Sequence, residues 1–257
     1  MSAPVVTFDN VSMHFGGLKA IDELSFSADK GRIVGIIGPN GAGKTTVFNV
    51  LSGVYTPTAG EIRFNGRLIN KLPPHVITGG GIARTFQNIR LFEKQSVLDN
   101  LKVACYGHIR YGILDVVLSS GRMRREERDI EENCMDILAF LGLKDKAELK
   151  AGALPYGDQR RVEIARAMAC KPEVLLLDEP AAGMNPTEID QLNELIVRVR
   201  DHYDLTILLV EHQMRLVMGI CNEILAINFG RKMAMGGPAE IRNNEQVLEA
   251  YLGKKVR

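Results

Sequence analysis

The strongest constraint on this chain is a glycine-rich segment that directly follows a short apolar run. The run is Ile33–Ile37, and the segment Gly38–Thr45 reads GPNGAGKT, which matches the pattern G-x-x-x-x-G-K-[ST] at every fixed position. A continuous apolar run of this length is typical of a strand buried on both faces of a parallel sheet. A strand followed by such a loop and then a helix predicts a phosphate-binding loop and an α/β fold.

Each residue type in this segment meets a physical requirement of phosphate binding. Glycines allow backbone N–H groups to converge on phosphate oxygens, and the N-terminus of the following helix adds a partial positive charge. Lys44 is expected to reach the terminal phosphates, and the Thr45 hydroxyl to bind Mg²⁺. The residues predicted to contact the bound nucleotide are Gly38, Asn40, Gly41, Ala42, Gly43, Lys44, Thr45 and Thr46. A dinucleotide-binding turn is disfavoured because the third glycine of that motif is missing.

Hydrophobic patterns along the rest of the chain predict the fold class. Two further apolar runs, Val174–Leu177 and Thr206–Val210, predict parallel strands, which require helical crossovers. Alternating patterns at Val5–Asn10, Leu24–Ala28 and Ile62–Phe64 predict short antiparallel strands. We therefore predict an α/β fold: a P-loop NTPase core with a mostly parallel sheet, an antiparallel β subdomain and an inserted α-helical subdomain.

Helical patterns lie between these strands and in the middle of the chain. A helix is predicted after Asn185, with Asn185 as N-cap and Glu188 completing a capping box. Between residues 88 and 153 the strand signal disappears, and an apolar stripe from Ile130 to Leu141 predicts a helix that ends at Gly142. The predicted division is a core of residues 1–87 and 154–257, including the antiparallel subdomain, and a helical subdomain of residues 88–153.

Composition excludes several classes of function. The 257 residues contain 32 Lys and Arg against 31 Asp and Glu, so the net charge of +1 provides no general basic field for nucleic acid. The four cysteines show no CxxC spacing, which favours reduced thiols over a zinc site or a disulfide framework. No run of about 18 apolar residues is present, and Met1–Pro4 does not begin a signal peptide. We expect another chain to hold this one at any membrane where it works.

Two carboxylates directly follow the predicted strand Val174–Leu177. Asp178 and Glu179 would lie at the carboxyl edge of a parallel sheet, where ligands of such folds bind. Asp178 is expected to hold Mg²⁺ through water, and Glu179 to accept a proton from an attacking water. The alternative is an acidic pair that only ends a strand, and the presence of the phosphate loop makes this alternative the weaker interpretation.

Taken alone, His212, Gln87 and Phe15 are ordinary surface or core residues.

These residues together resemble a known motif series over essentially the whole chain. In order they are Phe15, Gly38–Thr46, Gln87, the segment Leu154–Arg161, Asp178–Pro180 and His212, and they resemble the motifs of an ABC transporter ATP-binding subunit. Shorter phrases are similar to the ATP-binding subunits of branched-chain amino acid importers. These phrases are Arg84–Gln87, Ala181–Pro186, Glu211–Met218 and Ala250–Gly253.

The resemblance implies a role for each of the weaker candidates. Phe15 would stack on adenine, Gln87 would sense Mg²⁺ and the γ-phosphate, and His212 would bind the γ-phosphate through a hydrogen bond. The catalytic residues implied are Glu179, His212, Gln87 and Lys44, and the metal-binding residues are Thr45, Gln87 and Asp178. ATP and Mg²⁺ are the cofactors that this assignment requires.

The segment Leu154–Arg161 resembles the family signature, which faces the nucleotide of a second ATP-binding subunit. Gly157 would allow close backbone approach, and a helix beginning near Asp158 would direct its positive end across the interface. Tyr156, Gly157 and Asp158 are therefore expected to contact nucleotide. Pro155, Tyr156 and Asp158 depart from the common LSGGQ form. We therefore expect the ATP site completed by this signature to bind ATP less tightly than the site formed by this chain's own phosphate loop.

The resemblance implies an ATP-hydrolysing subunit that drives uptake of branched-chain or related amino acids through separate permease subunits. It would lie peripherally on the cytoplasmic face of the membrane, release ADP, pair with a second copy or a paralogue, and work indirectly with an external binding protein. No nucleic-acid partner is expected.

Three alternative functions stay open. They are a lipopolysaccharide export motor, a non-transport ABC ATPase of DNA repair or translation, and a regulatory or structural subunit without turnover. The cargo and the identity of the second ATPase stay open at this stage.

Overall fold

A six-stranded sheet forms the centre of the molecule. The structure is a computed structural model, and it describes residues 4–109, 111–112, 115–116 and 120–252. The strand order is β10-β9-β3-β8-β7-β6, in which β10 is antiparallel and the others are parallel. Its strands are β3 (Ile33–Ile37), β6 (Ile82–Arg84), β7 (Val174–Asp178), β8 (Thr206–Val210), β9 (Glu223–Asn228) and β10 (Arg231–Gly236). The three predicted parallel strands, β3, β7 and β8, are confirmed, and every residue in them is buried.

A four-stranded antiparallel sheet forms from the first part of the chain. Its order is β2-β1-β4-β5, with all three pairings antiparallel. The strands are β1 (Pro4–Phe15), β2 (Leu18–Asp29), β4 (Ala59–Phe64) and β5 (Arg67–Leu68). This confirms the predicted antiparallel addition. Apolar residues of both sheets, among them Phe8, Ile62 and Val34, share one core with Phe48.

Helices cover the six-stranded sheet and connect its parallel strands. They are α1 (Lys44–Leu51), α2 (Pro74–Gly79), α3 (Val97–Cys105), α4 (Gly121–Phe140), α5 (Tyr156–Ala169), α6 (Pro186–Tyr203), α7 (Met214–Ile220), α8 (Pro238–Arg242) and α9 (Glu245–Leu252). The predicted capping box of α6 is confirmed: Thr187 and Glu188 donate their N–H groups to Asn185 Oδ1, and Asn185 N–H donates to Glu188 Oε2 at 2.8 Å.

The middle of the chain contains helices and short helical turns. In the described residues between 88 and 153, strand pairing consists of the isolated bridge between Ser96 and Lys150. The predicted helix is α4, which ends at Phe140 and is followed by Gly142 with a φ of 71°. Cys134 and Leu138 of α4 pack in the same core as Leu175 of β7. The subdomain boundaries at residues 88 and 153 stay a prediction.

Three neighbouring strands, β3, β8 and β7, end at one edge of the large sheet. Pairing of Asp178 with Val210 aligns the ends of β7 and β8, and pairing of Ile36 with Val210 aligns β3 with β8. The segments that follow these strands contain the phosphate loop, Glu179 and His212. Parallel topology therefore brings residues from three distant parts of the sequence to one edge of the sheet.

Candidate active site

The phosphate loop runs from the end of β3 to the first turn of α1, and close packing requires two of its glycines. A Cβ atom on Gly38 would lie 2.2 Å from the carbonyl oxygen of Ile227, and one on Gly43 would lie 2.4 Å from that of Ala20. Gly43 is also the N-cap of α1, with a φ of 103°. Any larger residue would displace backbone at these positions, so the loop is fixed against β9 and β2.

Lys44 lies at the centre of this loop and is 7% exposed. Its Nζ donates hydrogen bonds to the carbonyl oxygens of Gly38, at 2.7 Å, and Pro39, at 3.0 Å. Burial lowers the pKa of Lys44, and the nearby carboxylate of Glu179 opposes this shift by favouring the charged form. The other predicted loop residues divide by exposure: Asn40, Gly41 and Thr45 are exposed, Thr46 is half-buried and Ala42 is buried.

Asp178 ends β7 and is held by an arginine that sequence reasoning left without a role. Its Oδ2 accepts a hydrogen bond of 2.7 Å from Arg84, and both side chains are almost fully buried. Arg84 also donates to Asn49 Oδ1 at 2.7 Å and to Ser52 Oγ at 3.2 Å, both from the α1 region. The Asp178–Arg84 pair therefore joins the end of β7 to the helix that follows the phosphate loop.

Glu179, Gln87 and His212 converge at the sheet edge. Gln87 Nε2 donates to Glu179 Oε2 at 2.8 Å, and His212 Nδ1 lies 3.8 Å from the same oxygen. Glu179 has a φ of 46°, in the left-handed region, which costs a non-glycine residue about 1–3 kcal/mol. Its N–H donates to the carbonyl oxygen of Val210 at 2.9 Å. One carboxylate oxygen thus lies between an amide and an imidazole that come from two other segments.

Phe15 lies at the end of β1 and is 41% exposed. Its ring meets the ring of Tyr55 edge to face, with centroids 5.1 Å apart and an interplanar angle of 77°. An exposed aromatic face at this position is available for stacking against a planar ligand. Tyr55, which sequence reasoning missed, supports the orientation of that ring.

The signature residues occupy the first turn of α5. This helix begins at Tyr156, two residues earlier than predicted, and Pro155 is its N-cap, with a φ of −56° and a ψ of 151°. Tyr156 donates its hydroxyl to the carbonyl oxygen of Ala182 at 3.2 Å, and Asp158 pairs with Lys146. Among the described hydrogen bonds of Tyr156, Gly157 and Asp158, none reaches the phosphate loop.

A buried ion pair in α5 holds the backbone of Gln87. Arg160 and Glu163 are each 1% exposed, and their side chains meet at 2.8 Å. Arg160 also donates to the carbonyl oxygens of Phe86, at 2.8 Å, and Gln87, at 2.9 Å, while Phe86 N–H donates to Glu163 at 3.1 Å. Burial raises the pKa of Glu163, and Arg160 opposes this shift. Helix α5, which begins with the signature, therefore fixes the backbone of Phe86 and Gln87.

The match to a known family covers most of these motifs, from the phosphate loop to Glu179. A family model described as ABC transporter matches residues 21–182, which include the phosphate loop, Gln87, the signature and Glu179. The chain belongs to the ABC transporter family. A second family model, described as branched-chain amino acid ATP-binding cassette transporter, matches residues 231–256 of this ABC transporter chain.

Relatives of this ABC transporter chain match it over its whole length. The high-affinity branched-chain amino acid transport ATP-binding protein LivG of Salmonella typhimurium is 46% identical, over 99% of this chain and 100% of that protein. The lipopolysaccharide export system ATP-binding protein LptB of Haemophilus influenzae is 33% identical, over 98% of this chain and 99% of that protein. A crystal structure of an ABC transporter ATP-binding cassette in its ADP conformation is 29% identical, with a TM-score of 0.86 over 98% of this chain and 100% of that chain.

This ABC transporter chain is therefore an ATP-binding and ATP-hydrolysing subunit. The predicted P-loop NTPase fold class is confirmed by the structural similarity. Within the ranges that the structure describes, no helix is both long and apolar enough to cross a membrane.

Proposed function

We propose that this ABC transporter subunit hydrolyses ATP to drive uptake of branched-chain amino acids through separate permease subunits. The observation that carries the hydrolytic assignment is the position of Glu179, whose Oε2 lies 2.8 Å from Gln87 Nε2 and 3.8 Å from His212 Nδ1. The full-length similarity to LivG and the match at residues 231–256 support the choice of cargo.

ATP binding in this proposal uses the loop and one aromatic ring. Backbone N–H groups between Gly38 and Thr46 surround the phosphates, and the buried ammonium group of Lys44 supplies a positive charge at their centre. The exposed face of Phe15 stacks on adenine. A base stacked on an aromatic side chain contributes about 1–3 kcal/mol in general.

The residues available for Mg²⁺ fit that ion. Thr45, Asp178 and Gln87 offer hydroxyl, carboxylate and amide oxygens, the hard ligands that Mg²⁺ prefers. Among the described residues, no group of three or more His, Cys, Asp or Glu could hold a metal ion, so a full protein cage is absent there. Mg²⁺ bound with ATP is usually held by one or two side chains, water and phosphates, and would neutralise charge on the phosphates.

The hydrolytic step follows from the cluster at the sheet edge. Glu179 accepts a proton from the attacking water, and the Gln87 amide keeps the carboxylate in place through its hydrogen bond of 2.8 Å. His212 is half exposed and donates a hydrogen bond to the γ-phosphate. Water attack breaks the bond between the β- and γ-phosphates and leaves ADP and phosphate.

A second ATP-binding subunit completes each site in this proposal. The first turn of α5 presents Tyr156 and Gly157 to the nucleotide of that subunit, which is a second copy or a paralogue. Permease subunits receive the motion of the helices between residues 88 and 153, on the cytoplasmic face of the membrane. An external binding protein delivers the amino acid to the permease. ATP binding closes the dimer and hydrolysis reopens it.

Uptake in cells that lack the natural gene tests the proposal. Cells complemented with the wild-type chain should accumulate labelled leucine, whereas cells with Glu179→Gln should not, at equal protein levels. Glu194→Gln, which changes an exposed glutamate on α6, is the matched control and should restore uptake. The proposed cargo would be refuted if cells that lack the gene take up leucine normally, or if their defect is confined to lipopolysaccharide export.

A further inference from the structure

Glu211 is a fully buried carboxylate without a role in the hydrolytic step described above. Its Oε1 accepts a hydrogen bond of 2.9 Å from Ala181 N–H. Its Oε2 accepts two more, of 2.8 Å from His212 N–H and 2.9 Å from Gln213 N–H. Among the described residues no lysine or arginine pairs with Glu211, and His212 Nδ1 lies 3.8 Å away. Three backbone N–H groups are therefore its main hydrogen-bond partners.

These N–H groups come from the two segments that contain the reacting side chains. Ala181 lies two residues after Glu179, and His212 and Gln213 follow β8. The strands before them, β7 and β8, are neighbours, and Asp178 pairs with Val210 at their ends. After that pair, Glu179 N–H donates to the carbonyl oxygen of Val210. The next residue after Val210 is Glu211, whose carboxylate accepts from Ala181 N–H and so joins the same two segments again.

The cost of burying Glu211 indicates that its contacts matter. A buried carboxylate without a cation is unfavourable unless hydrogen bonds to the charged form compensate for lost hydration. Hydrogen bonds from N–H groups to a carboxylate are roughly twice as strong as those between neutral groups. One oxygen of Glu211 binds the segment after Glu179, and the other binds the segment of His212, so neither segment shifts without breaking such a bond.

We propose that Glu211 is a positioning residue for hydrolysis, which sets the separation between Glu179 and His212. This inference rests on the proposed function, since it assumes that those two side chains act on water and the γ-phosphate. Glu211 acts mainly through the backbone, because both of its oxygens accept hydrogen bonds from N–H groups, while its Oε2 lies 3.8 Å from His212 Nδ1. Its influence acts through the 3.8 Å separation of His212 Nδ1 and Glu179 Oε2.

The variant Glu211→Gln separates this role from a general contribution to stability. Glutamine keeps the length of the side chain but replaces one oxygen by an NH₂ group, which cannot accept from a backbone N–H. We expect kcat for ATP hydrolysis by the assembled transporter to fall at least tenfold. The KM for ATP should stay within twofold of wild type, because none of the described hydrogen bonds of Glu211 reaches Phe15 or the phosphate loop.

Hydrogen exchange on the nucleotide-free chain provides a measurement that does not depend on activity. In Glu211→Gln, amide exchange should accelerate in the peptides containing Ala181 or His212 and stay unchanged in β1 and α4. The control is Asn70→Ala, which removes a half-buried side chain that accepts from Ile62 N–H and donates to the Gly60 carbonyl oxygen, far from the helices assigned to the permease. It should lower the unfolding midpoint while kcat per folded molecule and exchange near Ala181 stay at wild-type values.

Glu179→Gln, measured in the same assays, separates failure of the inference from failure of the proposed function. If Glu179→Gln retains near-normal turnover, Glu179 is not the general base, and the hydrolytic step of the proposed function is wrong. If Glu179→Gln is inactive while Glu211→Gln has wild-type kcat per folded molecule, the positioning role is overturned. Uniformly faster exchange over the whole chain in Glu211→Gln, or a rise in KM that accounts for the loss of turnover, would overturn it as well.

Discussion

The two parts of the candidate site are held in different ways. At the sheet edge, Gln87 and His212 approach one oxygen of Glu179, and buried Glu211 joins the surrounding segments. At the signature, Tyr156 is 47% exposed, and the charge of Asp158 is already paired with Lys146. The reacting groups are therefore arranged within one chain. The exposed first turn of α5 is the part that, in our proposal, must meet a second subunit.

Glu179→Gln should have the largest effect at the sheet edge. Glutamine keeps the size of the side chain but cannot take the proton from water, so hydrolysis should fall by about 10²–10⁴-fold, the usual contribution of a general base. Binding of ATP should be unchanged, because the phosphate loop is intact. Phosphate release by the assembled transporter and calorimetric titration measure the two quantities. Turnover near the wild-type rate would exclude Glu179 as the base.

Arg160→Met tests the link between the two parts. The variant leaves Glu163 buried without its partner and leaves the carbonyl oxygens of Phe86 and Gln87 without their donors. Breaking a buried pair in this way costs about 3–5 kcal/mol in unfolding free energy. Urea unfolding measures the loss, and the double variant Arg160→Met/Glu163→Met should recover part of it. A loss below about 1 kcal/mol would show that the pair does not hold the Gln87 segment.

Asn185→Ala should have the smallest effect, because it removes only the N-cap of α6. The two backbone N–H groups of Thr187 and Glu188 lose their acceptor, and caps of this type contribute about 1 kcal/mol. Asn185→Asp keeps an acceptor oxygen and serves as the matched control, with stability near wild type. Thermal unfolding of the three chains checks this. Equal losses for both variants would mean that the amide makes another contact.

Local patterns were sufficient to predict much of the fold. The apolar runs of β3, β7 and β8 and the capping residues of α6 are signals contained within a few neighbouring residues, and all were confirmed. Strands β5, β6, β9 and β10 were missed. β6 has three residues, and the place of β9 beside β3 depends on pairing between Gly35 and Ile224, which no local pattern specifies.

The site shows the same limit. The phosphate loop is one continuous motif, so its position between β3 and α1 could be predicted from residue types and spacing. Phe15, Gln87 and His212 could be selected only through the resemblance to a family, and their roles stay predictions. Arg84, Arg160 and Glu211 stood inside recognised phrases without a role. Their contacts join residues far apart in sequence, such as Arg84 to Asp178 and Glu211 to Ala181, and only the folded chain brings these together.

Calorimetric titration of the purified chain with ATP and Mg²⁺ tests most directly that the sheet edge and the signature serve different nucleotides. Lys44→Ala removes the central charge of the loop. Gly157→Asp changes the signature at a position where an added Cβ meets no atom within 4 Å. The account predicts equal ATP affinity for wild type and Gly157→Asp and at least tenfold weaker binding for Lys44→Ala, with hydrolysis by the assembled transporter lost in both variants. No ATP binding by the wild-type chain, or equal loss of binding in the two variants, would contradict it.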